Sequence, residues 1–226
     1  MFLAQRAVIK HLLDGITLAT NPIILDAGCG SGAYFAILGK FGTVLGMEPD
    51  EKMLAAAKAR ASATVEQGIL PENIPHPGEQ FDLVTLLNVL EYIKDDQAAL
   101  AALHARMNPR GLLCMAVPAN GWMYYNLDRQ RRRYRRYGRK QLRQLLERAG
   151  FQVEFMNYWN MFLFPLGLLL FLLDRMNIGS MYNLSMRPSS RGLSRLLARI
   201  SAAERHLHPH IPLPFGMTHI VIARKP

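Results

Sequence analysis

Asp26-Ala27-Gly28-Cys29-Gly30-Ser31-Gly32 places one carboxylate and three glycines directly after the apolar run Ile23-Ile24-Leu25. Glycines at this spacing let a chain turn sharply and bring its backbone against a ligand with no Cβ in the way. A second acid, Glu48, ends the next apolar run, 22 residues after Asp26. A carboxylate there can accept bonds from both hydroxyls of a ribose. The turn reads GxGxG with an acid two residues before it, not the GxGxxG of dinucleotide sites. Together these residues describe a cradle for a ribose-bearing cofactor.

Other reactive side chains are sparse. Cys29 and Cys114 are the two cysteines, too few for a disulfide framework or a Cys-rich metal site, and a reducing cytoplasmic home follows. His206, His208 and His210 alternate near Glu204, but with no further ligand at suitable spacing a surface or structural role is expected and no metal. His219 lies on the last apolar run and is a candidate base, with Arg133 and Tyr134 as further catalytic candidates. The segment from Arg129 to Lys140 carries eight positive charges and no negative one. Residues 1–128 hold 9 Lys/Arg against 13 Asp/Glu, and residues 129–226 hold 18 against 4. So segregated a charge points to an acidic partner such as phosphate, a membrane surface, nucleic acid or an acidic carrier protein, or else to a solvated face.

The elements that must position these groups alternate between apolar runs and helical stretches, which predicts a parallel sheet with crossover helices. Expected strands are Ile23–Ala27, Thr43–Glu48, Ala63–Glu66, Phe81–Leu86, Leu112–Val117, Phe151–Tyr158 and Thr218–Ala223. Expected helices are Ala4–Leu13, Ala33–Lys40, Glu51–Arg60, Asp95–Met107 and Arg139–Ala149. Asn108-Pro109-Arg110-Gly111 reads as a stop and turn before the fifth strand. Met1 to Ile9 mixes Gln5 and Arg6 into a short run without a cleavage pattern, so no signal peptide is read there. Trp159 to Leu173 carries no charge, yet at fifteen residues it falls short of the ~20 that span a bilayer. It is a helix that either covers a pocket or lies in a membrane interface. Leu193, Leu196, Leu197 and Ile200 form a second apolar stripe, with Arg191, Arg195 and Arg199 beside it.

Residues 23–118 resemble the class I S-adenosylmethionine (SAM)-dependent methyltransferases. The resemblance rests on LDAGCGSG, on Glu48-Pro49-Asp50, on the stretch FDLVTLLNVLEYIKDD and on the NPRG turn. It implies an α/β, Rossmann-like, seven-stranded and mostly parallel sheet with an antiparallel last strand and a helical insertion between the last two strands. By this reading residues 1–118 form the SAM-binding core and 119–138 a basic, aromatic substrate loop. Residues 139–158 and 216–226 complete the sheet, and 159–215 form the apolar insertion. The resemblance also implies that Asp26, Gly28, Cys29, Gly30 and Gly32 surround the methionine part of SAM. Glu48 and Pro49 then flank the ribose, Gly68, Ile69 and Leu70 the adenine, and Asn88, Val89 and Leu90 the site beyond the fourth strand. Relatives usually carry an acid near Gly68 that this chain lacks, and Glu91-Tyr92 stands where many read Glu-His.

The basic loop resembles one branch of these enzymes that reads Asp, three variable residues, Gly-His, one variable residue and Arg-Arg-Tyr. Asp128, Arg135, Arg136 and Tyr137 are retained, whereas Arg132 stands at the Gly and Arg133 at the His. The residues expected at the acceptor are Tyr124, Arg131, Arg132, Arg133, Arg135, Arg136, Tyr137 and Asn160. Arg135 and Tyr137 could instead staple the loop to the sheet. The leading expectation is methylation, at oxygen, of a small hydrophobic or lipid- or carrier-linked acceptor, in the cytoplasm or at the cytoplasmic face of a membrane. A second reading is RNA methylation through the Arg/Tyr loop, against which the long apolar segment argues. A third is a membrane-associated SAM-binding protein without turnover.

Overall fold

The structure, a computed structural model, describes residues 2–60, 62–176, 204 and 211–226. The three clustered histidines and the stripe at 193–200 lie outside the described residues. The strands are β1 (Ile23–Ala27), β2 (Thr43–Glu48), β3 (Thr64–Gln67), β4 (Phe81–Leu87), β5 (Met107–Pro118), β6 (Gln152–Trp159) and β7 (Thr218–Arg224). The α-helices are α1 (Phe2–Asp14), α2 (Phe35–Leu38), α3 (Glu51–Lys58), α4 (Asp96–Ala105), α5 (Asn126–Gln130), α6 (Arg139–Arg148) and α7 (Phe164–Arg175).

One seven-stranded sheet runs in the order β3-β2-β1-β4-β5-β7-β6. The pairs from β3 to β5 are parallel. β7 runs against β5: Arg110 N donates to Lys225 O near one end, and Ala119 N to Met217 O near the other. The expected Rossmann-like sheet with an antiparallel last strand is therefore present. Apolar side chains on both faces explain it, since Ile24, Leu25, Leu83, Val84, Leu86, Leu112 and Leu113 are all buried. Strands buried on both sides read as continuous apolar runs, as parallel strands covered by helices do.

The strand order reverses between β1 and β4, because β1 sends its crossover to β2 on one side while β4 leads to β5 on the other. Such a switch point opens a crevice at the carboxyl ends of the strands, where α/β folds place ligands. The two segments that follow these strands are the glycine turn and Asn88–Leu90.

Some boundaries differ from expectation. β5 begins at Met107, so the NPRG turn is an irregularity inside the strand rather than a stop before it. Phe81 pairs with Met107 but Leu83 with Leu112, which accommodates the extra residues by a bulge at Arg110, φ 65°. α2 spans four residues instead of eight, because the glycine turn extends through Gly32 and Gly39 caps the other end. The aromatic, basic stretch without periodicity contains a 3₁₀ turn, Gly121–Met123, and the short α5. α7 starts at Phe164, since Trp159 still belongs to β6.

The chain comprises two compact units. One contains Ile16–Val117, Lys140–Met156 and Ile220–Pro226, and the other Met1–Gly15, Pro118–Arg139 and Asn157–His219. The first holds the glycine turn and the second the basic loop and α7.

Candidate active site

Gly28, Gly30 and Gly32 all have positive φ, at 74°, 55° and 74°, which L-residues rarely adopt. The turn is tied to the end of β2, where Met47 O accepts from Gly28 N at 2.8 Å and from Cys29 N at 2.9 Å. The three glycines do different work. A Cβ on Gly28 would sit 2.5 Å from Val89 Cγ2, and one on Gly32 would meet the Phe35 ring at 2.5 Å. Both therefore serve close packing within the protein. Gly28→Val would therefore clash first with Val89, inside the protein. A Cβ on Gly30 meets nothing within 4 Å. Gly30 is the position at which the turn faces open space.

Asp26 is paired in register with Thr85 of β4, and the Thr85 hydroxyl donates to its Oδ1 at 2.7 Å. Its Oδ2 is buried and has no hydrogen-bond partner among the described residues. Burial above all pushes Asp26 up to about 6; the Thr85 bond pulls the other way, and the Glu48 carboxylate adds to the rise. A buried carboxylate oxygen without a donor is costly, and a cationic ligand group is the partner that would remove that cost. Glu48 ends β2 with Oε2 accepting from Gly30 N at 2.8 Å and Oε1 from Asp50 N at 3.0 Å. It thereby joins the glycine turn to the start of α3, whose first turn Asp50 caps through Lys52 N and Met53 N. Each Glu48 oxygen keeps a further lone pair for a ligand hydroxyl.

On the third side Gly68 is fixed by crowding, its would-be Cβ 2.7 Å from Asn73 O and from Met47 Cγ. Ile69 after it is half exposed and Leu70 buried. Beyond β4, Asn88 has φ 60° and donates its N–H to Ala116 O at 2.8 Å, while Leu90 is buried. Burial pushes the Cys29 and Cys114 thiols up to about 12, so neither is a nucleophile at neutral pH.

The residues expected at the acceptor lie in the other unit and divide into two groups. Asp128 is wholly buried and accepts from Arg133 Nη1 at 3.0 Å and from Arg136 Nε at 2.7 Å. The Arg136 guanidinium also lies 5.2 Å from the Tyr125 ring centroid. The Tyr124 hydroxyl donates to Arg133 O at 2.7 Å. Tyr137 is buried, its N–H donating to Pro118 O at 2.9 Å, and Asn160 is buried with φ 61°. Arg131, Arg132 and Tyr134 are exposed. Arg132 keeps φ 57° where the related loop carries Gly, a conformation that costs a side-chain-bearing residue about 1 kcal/mol. His219 is buried against Tyr158, ring centroids 4.4 Å apart. Burial pushes it down to about 4, so its imidazole is neutral at pH 7 and weakly basic.

Three side chains fix this unit, two that sequence reasoning left without a role and one, Glu204, that it weighed only beside the histidines. Asn157 Oδ1 accepts from Leu213 N and Tyr158 N, Asn120 Nδ2 donates to Gly216 O, and buried Glu204 accepts from Phe162 N at 2.7 Å ahead of α7. No periodicity marks such staples. Among the described residues no group of three or more His, Cys, Asp and Glu side chains could hold a metal ion.

A glycine turn at the switch point, a buried acid with one oxygen left without a donor and a second acid ending β2 define the class I SAM-dependent methyltransferase fold. The sequence profile of the methyltransferase-domain family matches residues 3–154, and the chain belongs to that family. Over 109 residues it is 32% identical to the ubiquinone biosynthesis O-methyltransferase of Rhodopseudomonas palustris, covering 46% of this chain and 43% of that protein. The chain thus spans under half the length of the curated relatives it matches. Among solved structures it is similar to a SAM-dependent methyltransferase from Mesorhizobium loti, with a TM-score of 0.63 and 19% identity over 96% of this chain and 97% of that one. It is also similar to the magnesium protoporphyrin IX methyltransferase of Synechocystis with bound SAH, the demethylated cofactor (TM-score 0.58, 16% identity, 99% and 82% covered). At such identities these likenesses show the fold.

Proposed function

We propose that this chain transfers the methyl group of SAM to an oxygen of a small apolar acceptor. The observation that carries the cofactor half is the buried, donorless Oδ2 of Asp26, and the open space at Gly30 of the turn that follows it supports the same reading. When bound, SAM supplies an electrophilic methyl on a sulfonium that leaves as a neutral thioether. Asp26 holds the α-ammonium of its methionine part, and the backbone of Gly28 to Gly32 lies against the same part. Glu48 accepts from the ribose hydroxyls, with Pro49 beside it. Gly68, Ile69 and Leu70 pack the adenine by apolar contact, and Asn88, Val89 and Leu90 close the side beyond β4. An activated methyl makes orientation the main requirement on the protein, which is consistent with a site rich in backbone contacts and poor in bases. The acceptor half rests on kinship with O-methyltransferases over 109 residues and on the apolar character of α7.

Two measurements test this. Methyl-labelled SAM is offered with a long-chain phenol, a fatty acid and an RNA oligonucleotide. Label is expected on the phenol as a base-stable ether. Label on the fatty acid as a base-labile ester would narrow the acceptor oxygen to a carboxylate, and label on RNA alone overturns the assigned acceptor. The second follows from Asp26, which binds a cation as its carboxylate. SAH affinity is therefore full above pH 6 and falls as pH drops through 6, approaching about tenfold per unit below it. Calorimetry near pH 6 in buffers of different ionisation enthalpy should show proton release on binding. An affinity flat from neutral pH down to 5 would remove Asp26 from the cofactor.

A further inference from the structure

α7 is apolar on both of its faces. Phe164, Leu168 and Phe171, at i, i+4 and i+7, pack on Met123, Tyr125 and Leu127 in one cluster. On the opposite face Leu166, Leu169, Leu172 and Met176 recur at i, i+3, i+6 and i+10, and are 45–65% exposed. A surface helix of a globular protein normally turns a polar face outward, and one that is apolar all round belongs in an apolar surrounding. α7 has 12 residues, about 18 Å of helix against a hydrocarbon core of about 30 Å. No helix among the described residues is long and apolar enough to cross a membrane. The geometry that remains is a helix lying in the plane of an interface.

The surroundings of α7 name the interface. Trp122, 60% exposed, meets Phe171 edge-on with ring centroids 5.6 Å apart. Together with Arg129 and Arg175 these two rings line a cavity of about 270 Å³ beside the helix, and Asp174, whose carboxylate accepts from Asn126, lines it as well. Arg131 and Arg132 are exposed on the same loop. Tryptophan favours the headgroup level of a bilayer, and arginine guanidinium groups match phosphate. An apolar stripe beside fixed cations is the two-part signal for reversible attachment to anionic lipid. Neither the stripe nor Arg129 and Arg175 has a place in the cofactor site.

We propose that the outer face of α7, with Trp122, Arg129 and Arg175, docks this protein on the surface of an anionic phospholipid bilayer. The inference shares α7 with the acceptor half of the assigned reaction but rests on its exposed face, and its test needs neither cofactor nor acceptor. The test is sedimentation of the full chain with vesicles of phosphatidylcholine alone and of phosphatidylcholine mixed with phosphatidylglycerol. Wild type is expected to bind the mixed vesicles, less as salt rises. Leu166→Gln/Leu169→Gln/Leu172→Gln should lose about tenfold or more in partitioning, and Arg129→Gln/Arg175→Gln about tenfold with a weaker salt dependence. Far-ultraviolet circular dichroism and SAH affinity equal to wild type would show that both variants fold. Failure of wild type to bind either vesicle overturns the proposal. So does equal binding by the triple variant. A wild-type dimer that the triple variant converts to monomer, without vesicle binding, would assign the face to a second copy instead.

Discussion

Glu48→Ala is expected to weaken SAH binding by about 3 kcal/mol, roughly two orders of magnitude in affinity. The carboxylate holds the site in two ways. Its bonds to Gly30 N and Asp50 N fix the glycine turn against the end of β2 before any ligand arrives. Its remaining lone pairs accept from the ribose, and each hydrogen bond to a charged group is worth about 1.5–3 kcal/mol. Alanine removes both, so affinity should fall further than one lost ligand bond would explain. Glu48→Gln keeps one acceptor oxygen and should lie between the two. Gly30→Ala separates ligand contact from loop order. The new Cβ meets no protein atom within 4 Å, so the fold bears it at a cost of about 1 kcal/mol for φ 55°. The same Cβ projects into the space assigned to the cofactor. Titration calorimetry with SAH and a thermal melt of each variant give the comparison. Wild-type affinity in Glu48→Ala would sink the cofactor assignment, whereas wild-type affinity in Gly30→Ala would sink only the part given to the turn.

The glycine turn was legible in the sequence because its constraint is local. Three glycines within five residues after an apolar run leave the backbone few other conformations. β1 and β2 were legible to the residue, since Pro22 and Gly42 punctuate them on one side and the acid-bearing turns on the other. The orphaned oxygen of Asp26 was not legible. It depends on which residue of β4 lies beside Asp26, and that register is set by the whole sheet. The same limit applied to the arginine run. As a string of charges, Arg133 and Arg136 were equivalent to Arg131 and Arg132, with nothing periodic to separate them. The difference arises because α5 turns Asp128 inward, to a site that only two of these guanidinium groups reach. The bulge in β5 was hidden for a third reason, as Asn-Pro-Arg-Gly reads as a chain reversal whether or not a neighbouring strand continues past it.

Asp128→Ala is expected to produce the largest loss of stability of any single change in the basic loop, about 3–5 kcal/mol. The carboxylate is fully buried, and three groups depend on it. Arg136 Nε and Arg133 Nη1 donate to its two oxygens, and Tyr125 N donates to Oδ2 at 3.2 Å in a capping arrangement at the start of α5. Removing it leaves the Arg136 guanidinium, nearly inaccessible to water, as an uncompensated buried charge. Breaking such a pair from one side costs far more than the pair itself contributes. Replacing both members should therefore restore much of the loss, so Asp128→Leu/Arg136→Met is expected to melt well above Asp128→Ala. Arg133 is more accessible than Arg136, and Arg133→Gln should cost about 1 kcal/mol or less. Denaturant unfolding of the three variants and wild type forms the comparison. If Asp128→Ala unfolds like wild type while methyl transfer collapses, the buried ion pair is not what holds the loop. Asp128 would then act on the acceptor. If stability falls and the double variant recovers it, Asp128 and Arg136 belong to the scaffold of the loop. The exposed Arg129, Arg131 and Arg132 then remain free of that scaffold to meet an anionic group.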